Sequence, residues 1–231
     1  VAQLVNLLYK VVDRIYIGHM PEVGRVALTG VGLCLPIVTL ITAFTMLIAQ
    51  GGAPRAAIAM GEGNNERAQE IMGSCFTSLV ATAVVLTAAF WLWGEQLLWI
   101  FGCSEETIIY ALPYMRIYSS GSFFVMMAVG MNLFVTTQGF TSFSMRTVLI
   151  GAICNIILDP IFIYVLGLGV QGAALATVIS QAVSGLWVLW FLTGKTTRLR
   201  LQRRYLRPKL EIMLPVLALG LAPFIMQATE A

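Results

Sequence analysis

Six apolar runs, each long enough to cross a lipid bilayer, constrain this chain more than any other feature. They fall at roughly 1–18, 27–60, 69–94, 108–137, 146–166 and 171–193, and a seventh starts near 211. A bilayer's hydrocarbon core takes about 20 apolar helical residues to cross. A soluble domain of 231 residues has nowhere to hide so many continuous apolar stretches. Only 11% of the residues are charged and 58% are hydrophobic, with a mean hydropathy of +0.85, where soluble domains carry about 25% charged residues. Strand-like alternation is absent, which argues against an outer-membrane barrel. The fold class is therefore all-α: a polytopic transmembrane helix bundle.

Breakers separate the runs. They are Gly18 to Pro21, Gly61 to Glu66, Gly94 to Glu106, Gln138-Gly139 and Gly167 to Gly169, the residue types that end helices and make turns. The second run is too long for one straight span, so its tail at 54–60 is expected to continue as an interfacial or cytoplasmic helix. The first run begins at Val1 already inside an apolar stretch and the last ends inside another, so a fragment of something longer is expected.

Orientation follows from the basic residues. Between runs six and seven lie Lys195, Arg198, Arg200, Arg203, Arg204, Arg207 and Lys209, with no acid until Glu211. Such a loop stays in the cytoplasm. Alternation then places Arg67 and Arg146 inside, and the 94–106 loop, which has no Lys or Arg, outside. The layout is six spans over 1–194, a basic cytoplasmic linker at 195–210, and the start of a further unit at 211–231. The linker reads as a topology determinant resting on anionic headgroups rather than as a nucleic-acid site.

Polar residues inside spans narrow the function. Asp159 sits in the apolar stretch 150–168, where an ionised group is costly and usually marks a functional site. Asn155, one turn earlier, shares its helix face. Pro160 follows and cannot donate the next backbone hydrogen bond, so it frees the carbonyl of Ile156 and bends the helix. Carboxylate, amide and loosened carbonyl facing one way suit an ion or proton. Asp13 is a second intramembrane acid, with Lys10 one turn back and Arg14 adjacent. It reads either as a structural ion pair or as a carboxylate sharing a cavity with Asp159, where two like charges favour one bound proton. On the sixth run Thr177 follows a small-residue helix start, and Ser180, Gln181 and Ser184 extend the polar stripe. Asn132 and Gln50 are weaker intrusions, and Met127 lies in a Met- and Phe-rich stretch suited to an adaptable apolar pathway. The four cysteines have no metal or disulfide spacing and His19 has no metal frame, so no enzyme site is legible.

The motifs together resemble the multidrug and toxic compound extrusion (MATE) family, in particular its DinF-like and MepA-like branch of bacterial exporters. The resembling stretches include Tyr9-Lys10-Val11-Val12-Asp13-Arg14, Gln50-Gly51-Gly52-Ala53-Pro54 and Gln138-Gly139-Phe140. The most specific are Asn155-Ile156-Ile157-Leu158-Asp159-Pro160-Ile161-Phe162-Ile163 and Gly169-Val170-Gln171-Gly172-Ala173-Ala174-Leu175-Ala176-Thr177. Lys10 departs from the neutral Asn that many relatives carry. The resemblance implies the first six-helix lobe of a twelve-helix, V-shaped transporter, with the second lobe as its missing partner. It implies an antiporter in the cytoplasmic membrane that exchanges H⁺ or Na⁺ for amphiphilic, often cationic drugs. Asp13, Asn155, Asp159 and Thr177 would be the ion-coupling residues, whichever ion it is, with no other cofactor. Asn132, Gln181 and Met127 are candidates for the drug pathway. The rival within the same superfamily is a flippase for lipid-linked oligosaccharides, which would favour a cationic cavity.

Overall fold

The computed structural model describes residues 11–12, 14–19 and 24–229. Among these residues there are helices and connecting turns but no strand. After a helical stretch at 14–18 come α1 (Gly24–Leu33), α2 (Leu35–Gly61), α3 (Asn65–Ile100) and α4 (Glu105–Ser120). Next are α5 (Ser122–Thr137), α6 (Thr141–Val165), α7 (Gly169–Thr193) and α8 (Leu210–Ala228). Five spans in this set are long and apolar enough to cross a membrane, and six when the bent pair α4–α5 counts as one.

Three helix boundaries differ from the sequence expectation. The run 27–60 divides at Cys34, because Pro36 cannot pass on the backbone ladder and instead opens α2. Downstream, α2 continues through Pro54 to Gly61 as a single helix. Gly94 does not end α3, which runs on to Ile100; the missing side chain makes room for Met115 of α4. The run 108–137 is not one straight span but bends by 56° between Ser120 and Ser122. In lipid the backbone groups released by such a bend need protein partners, and α3 supplies one. Thr87 donates to the Ser119 carbonyl at 2.8 Å, while Ser122 donates to the Ala83 carbonyl at 3.3 Å.

Many large apolar side chains point outward, Val84, Leu92, Leu186 and Leu214 among them, while small residues at the helix contacts sit beside buried Leu, Ile, Met and Phe. Lipid tails give helices no hydrophobic reason to associate, so close packing of small residues holds such a bundle together. The buried face of α2 follows this rule with Ala43, Ala49, Gly51, Gly52, Ala53, Ala56 and Ala59.

The basic linker is docked rather than loose. Gln138, at the end of α5, is buried, and its Oε1 accepts from Thr197 Oγ1 at 2.7 Å and from the Leu199 amide at 2.8 Å. Farther along, Arg204 pairs with Glu66 at 3.4 Å and Lys209 with Glu70 at 2.5 Å, while Thr77 donates to the Leu206 carbonyl. Replacing Gln138 by Leu strands the buried Leu199 amide, at a cost of about 1–3 kcal/mol, and leaves Thr197 Oγ1 only the Leu199 carbonyl, 2.9 Å away. Trypsin is then expected to cut at Arg198 and Arg200 several-fold faster than in the native protein, as read by timed digestion of the purified protein. Unchanged cutting would mean that Gln138 does not hold the linker.

Candidate polar site between the sixth and seventh helices

Asp159 and Asn155 lie on the inner face of α6, at 0% and 2% exposure, and Thr177 faces them from α7 at 9%. Asn155 Nδ2 donates to Asp159 Oδ1 at 3.0 Å and approaches Thr177 Oγ1 at 3.5 Å. The first contact is the i, i+4 pair read from the sequence; the second is made only by tertiary packing. Because the amide nitrogen faces the carboxylate, Asn155 Oδ1 is left buried with no hydrogen-bond partner among the described residues. A carboxylate, an amide and a hydroxyl thus lie together, buried, between α6 and α7, and oxygen groups of these kinds serve as ligands for hard cations.

The backbone beyond Pro160 is what brings α7 this close. The helix widens into a π turn at Ile161–Val165, with Leu166 N donating to the Ile161 carbonyl at 2.9 Å. The loosening expected at Pro160 therefore takes the form of a wide turn just after it, a feature often found at functional sites. At Gly172 of α7 a Cβ would stand 2.6 Å from the Phe162 carbonyl oxygen. Only glycine allows that approach, and it sets the register that brings Thr177 opposite Asn155.

A contact with no signature in the sequence ties in the first helix. Tyr164 Oη donates to the Tyr16 carbonyl at 2.6 Å, with the two rings edge to face at 6.2 Å. Asp13 and Lys10 lie outside the described residues. Tyr16, three positions after Asp13, is therefore the nearest described link between the first helix and the end of α6.

The pathway candidates are placed elsewhere. Asn132 is buried on α5, and its Nδ2 donates to the Ser144 carbonyl at 3.3 Å, about 22 Å along α6 from Asp159. Met127 is fully buried against Gly185 of α7, packed between helices. Gln181 lies one turn beyond Thr177, half-buried, and is the only one of the three next to the cluster. The hydroxyls of Ser180 and Ser184 are taken by backbone, donating to the Ala176 and Thr147 carbonyls at 2.7 and 3.2 Å.

Comparison with known proteins gives consistent matches. The MatE family profile matches residues 1–161. The chain is similar to the multidrug export protein MepA of Staphylococcus haemolyticus, with 28% identity over 229 residues, covering 98% of this chain and 50% of that protein. It is also similar to a solved multidrug resistance MATE family transporter of the MOP superfamily. Against the inward-facing conformation the TM-score is 0.89 at 27% identity, over 96% of this chain and 50% of that one. Against the outward-facing conformation it is again 0.89 at 27% identity, over 98% and 50%. The chain thus spans about half the length of the relatives it matches.

Proposed function

The chain belongs to the MatE family, and on that premise we propose that it forms the first lobe of a multidrug efflux antiporter in the cytoplasmic membrane. In this reading a second lobe follows the docked linker, and α8 is that lobe's first helix. Asp159, Asn155 and Thr177 bind the coupling ion, and Asp13 is the second acid of the same site. The observation that carries the reading is the buried Asn155–Asp159 hydrogen bond with the Asn155 oxygen left over.

The geometry gives a mechanism for sensing a proton. An ionised Asp159 accepts from the Asn155 amide. A protonated Asp159 becomes a donor, and the amide then turns its oxygen toward the acid. That reversal exchanges the group facing Thr177 and changes the contact between α6 and α7. A sodium ion produces the same exchange by drawing in the Asn155 oxygen. Coupling requires that the ion bind the two conformations of the transporter unequally. The equal match to inward- and outward-facing structures supports a lobe that keeps its fold while it moves.

The test is ethidium efflux from cells expressing the full two-lobe transporter, energised first by a proton gradient and then by a sodium gradient. Efflux driven by one of the two is expected, and names the ion. Efflux unaffected by collapsing both gradients, or no efflux from well-inserted protein, would overturn the antiporter reading.

A further inference from the structure

We propose that a groove between α3 and the α4–α5 bend binds an anionic phospholipid, with its phosphate on Arg116 and an acyl chain along α3. The groove has a volume of about 510 Å³ and is lined by Ala83, Val84, Thr87, Trp91, Ser120 and Phe123, within the size range of ligand pockets. Its walls are apolar apart from hydroxyls that the protein already uses: Thr87 binds the Ser119 carbonyl, and Ser120 donates to the Arg116 carbonyl at 2.7 Å. The groove lies where α4 and α5 meet at the 56° bend and face α3.

Two observations identify the occupant. The first is charge. Arg116 stacks over the Trp91 ring, 5.6 Å from guanidinium to ring centre, and Trp91 in turn donates Nε1–H to Ser120 Oγ at 3.1 Å. No acid pairs with Arg116 among the described residues, and its Nε is buried there without a hydrogen-bond partner. A guanidinium held by an aromatic face, with donors to spare, suits a phosphate and repels an amphiphilic cation.

The second observation is depth. Glu70, paired with Lys209 of the basic linker, and Trp91 lie on one continuous helix, about 32 Å apart along its axis. That matches the ~30 Å hydrocarbon thickness. The exposed Trp91, Trp93 and Trp99 then form the interfacial belt at the membrane surface opposite the linker. Arg116 sits at headgroup level, and the groove runs from Trp91 toward Ala83 into the hydrocarbon.

The test reconstitutes the full two-lobe transporter in phosphatidylcholine vesicles containing a small fraction of phosphatidylglycerol with brominated acyl chains, and reads quenching of tryptophan fluorescence. Brominated phosphatidylcholine at the same fraction is the reference. Phosphatidylglycerol is expected to quench at several-fold lower fraction than phosphatidylcholine. Most of that preference should vanish with Arg116→Gln, survive with Arg116→Lys, and vanish with Trp91→Phe. Equal quenching by the two lipids, or a preference untouched by Arg116→Gln, would reduce the groove to ordinary lipid contact and overturn the proposal. Displacement of bound phosphatidylglycerol by ethidium would assign the groove to drug and overturn it as well.

Discussion

Asp159→Asn is expected to reduce gradient-driven drug efflux to the level of cells lacking the transporter, a loss of about a hundredfold or more, with membrane insertion unchanged. The substitution is nearly isosteric, and an amide oxygen at position 159 still accepts from Asn155 Nδ2, the 3.0 Å contact of the native site. What it removes is the charge and the proton-binding oxygen. A hundredfold loss corresponds to about 2.7 kcal/mol of driving interaction, a modest demand on a carboxylate buried in a lipid-embedded site. Efflux assays on cells matched for transporter abundance check it. Asn155→Ala should produce a similar loss, because it deletes the oxygen left free in the cluster. Asn132→Ala should leave the ion dependence intact, since that side chain binds Ser144 far from the acid. Native efflux from Asp159→Asn would remove this residue from the coupling step.

The largest stability effect is expected where α8 crosses α2. A Cβ at Gly220 would collide with the Leu47 carbonyl oxygen, and one at Gly51 with that of Val216. The two backbones touch through the gap that the glycines leave, with Val216 and Ile212 fully buried and Phe44 and Phe224 packed edge to face beside the crossing. Overpacking a core costs about 1–3 kcal/mol when side chains can yield. Here the obstacle is backbone, so Gly220→Leu and Gly51→Leu should each cost at least the upper end of that range. Both should lower the thermal midpoint of the purified transporter by several degrees and reduce its yield. Gly32→Ala is the control: nothing lies within 4 Å of a Cβ there, and a change of no more than about 1 kcal/mol is expected. Equal midpoints for Gly220→Leu and Gly32→Ala would show that the crossing carries no stability. In the reading offered above, this crossing is also where one lobe bears on the next.

Much of this was legible in the sequence because lipid simplifies the code. Long apolar runs divided by Gly and Asn gave the helices, and the Asn155–Asp159 pairing followed from the 3.6-residue period alone. Thr177 was harder to place: its approach to Asn155 depends on the π turn after Pro160 and the gap at Gly172, which no local propensity describes. The bend at Gly121 stayed hidden for a related reason. It is tied to α3 by Thr87 and Ser122, hydroxyls 35 positions apart in sequence and 3.0 Å apart in space. The contacts of Tyr164 and Gln138 could not be read from the sequence, because their partners, the Tyr16 carbonyl and the Leu199 amide, are backbone groups that carry no side-chain signature.

In the proposed mechanism Asp159, Asn155 and Thr177 bind the ion whose entry is linked to drug release. Linkage is reciprocal: an ion that changes drug affinity must have its own affinity changed by drug. The most direct measurement is therefore the dissociation constant of ethidium for the purified full two-lobe transporter, titrated against pH and separately against sodium, for the native protein and Asp159→Asn. Drug affinity in the native protein is expected to shift at least tenfold with one of the two ions. In Asp159→Asn the drug should still bind, but with an affinity indifferent to both. A mutant that keeps the native ion dependence would contradict the assignment of the coupling site.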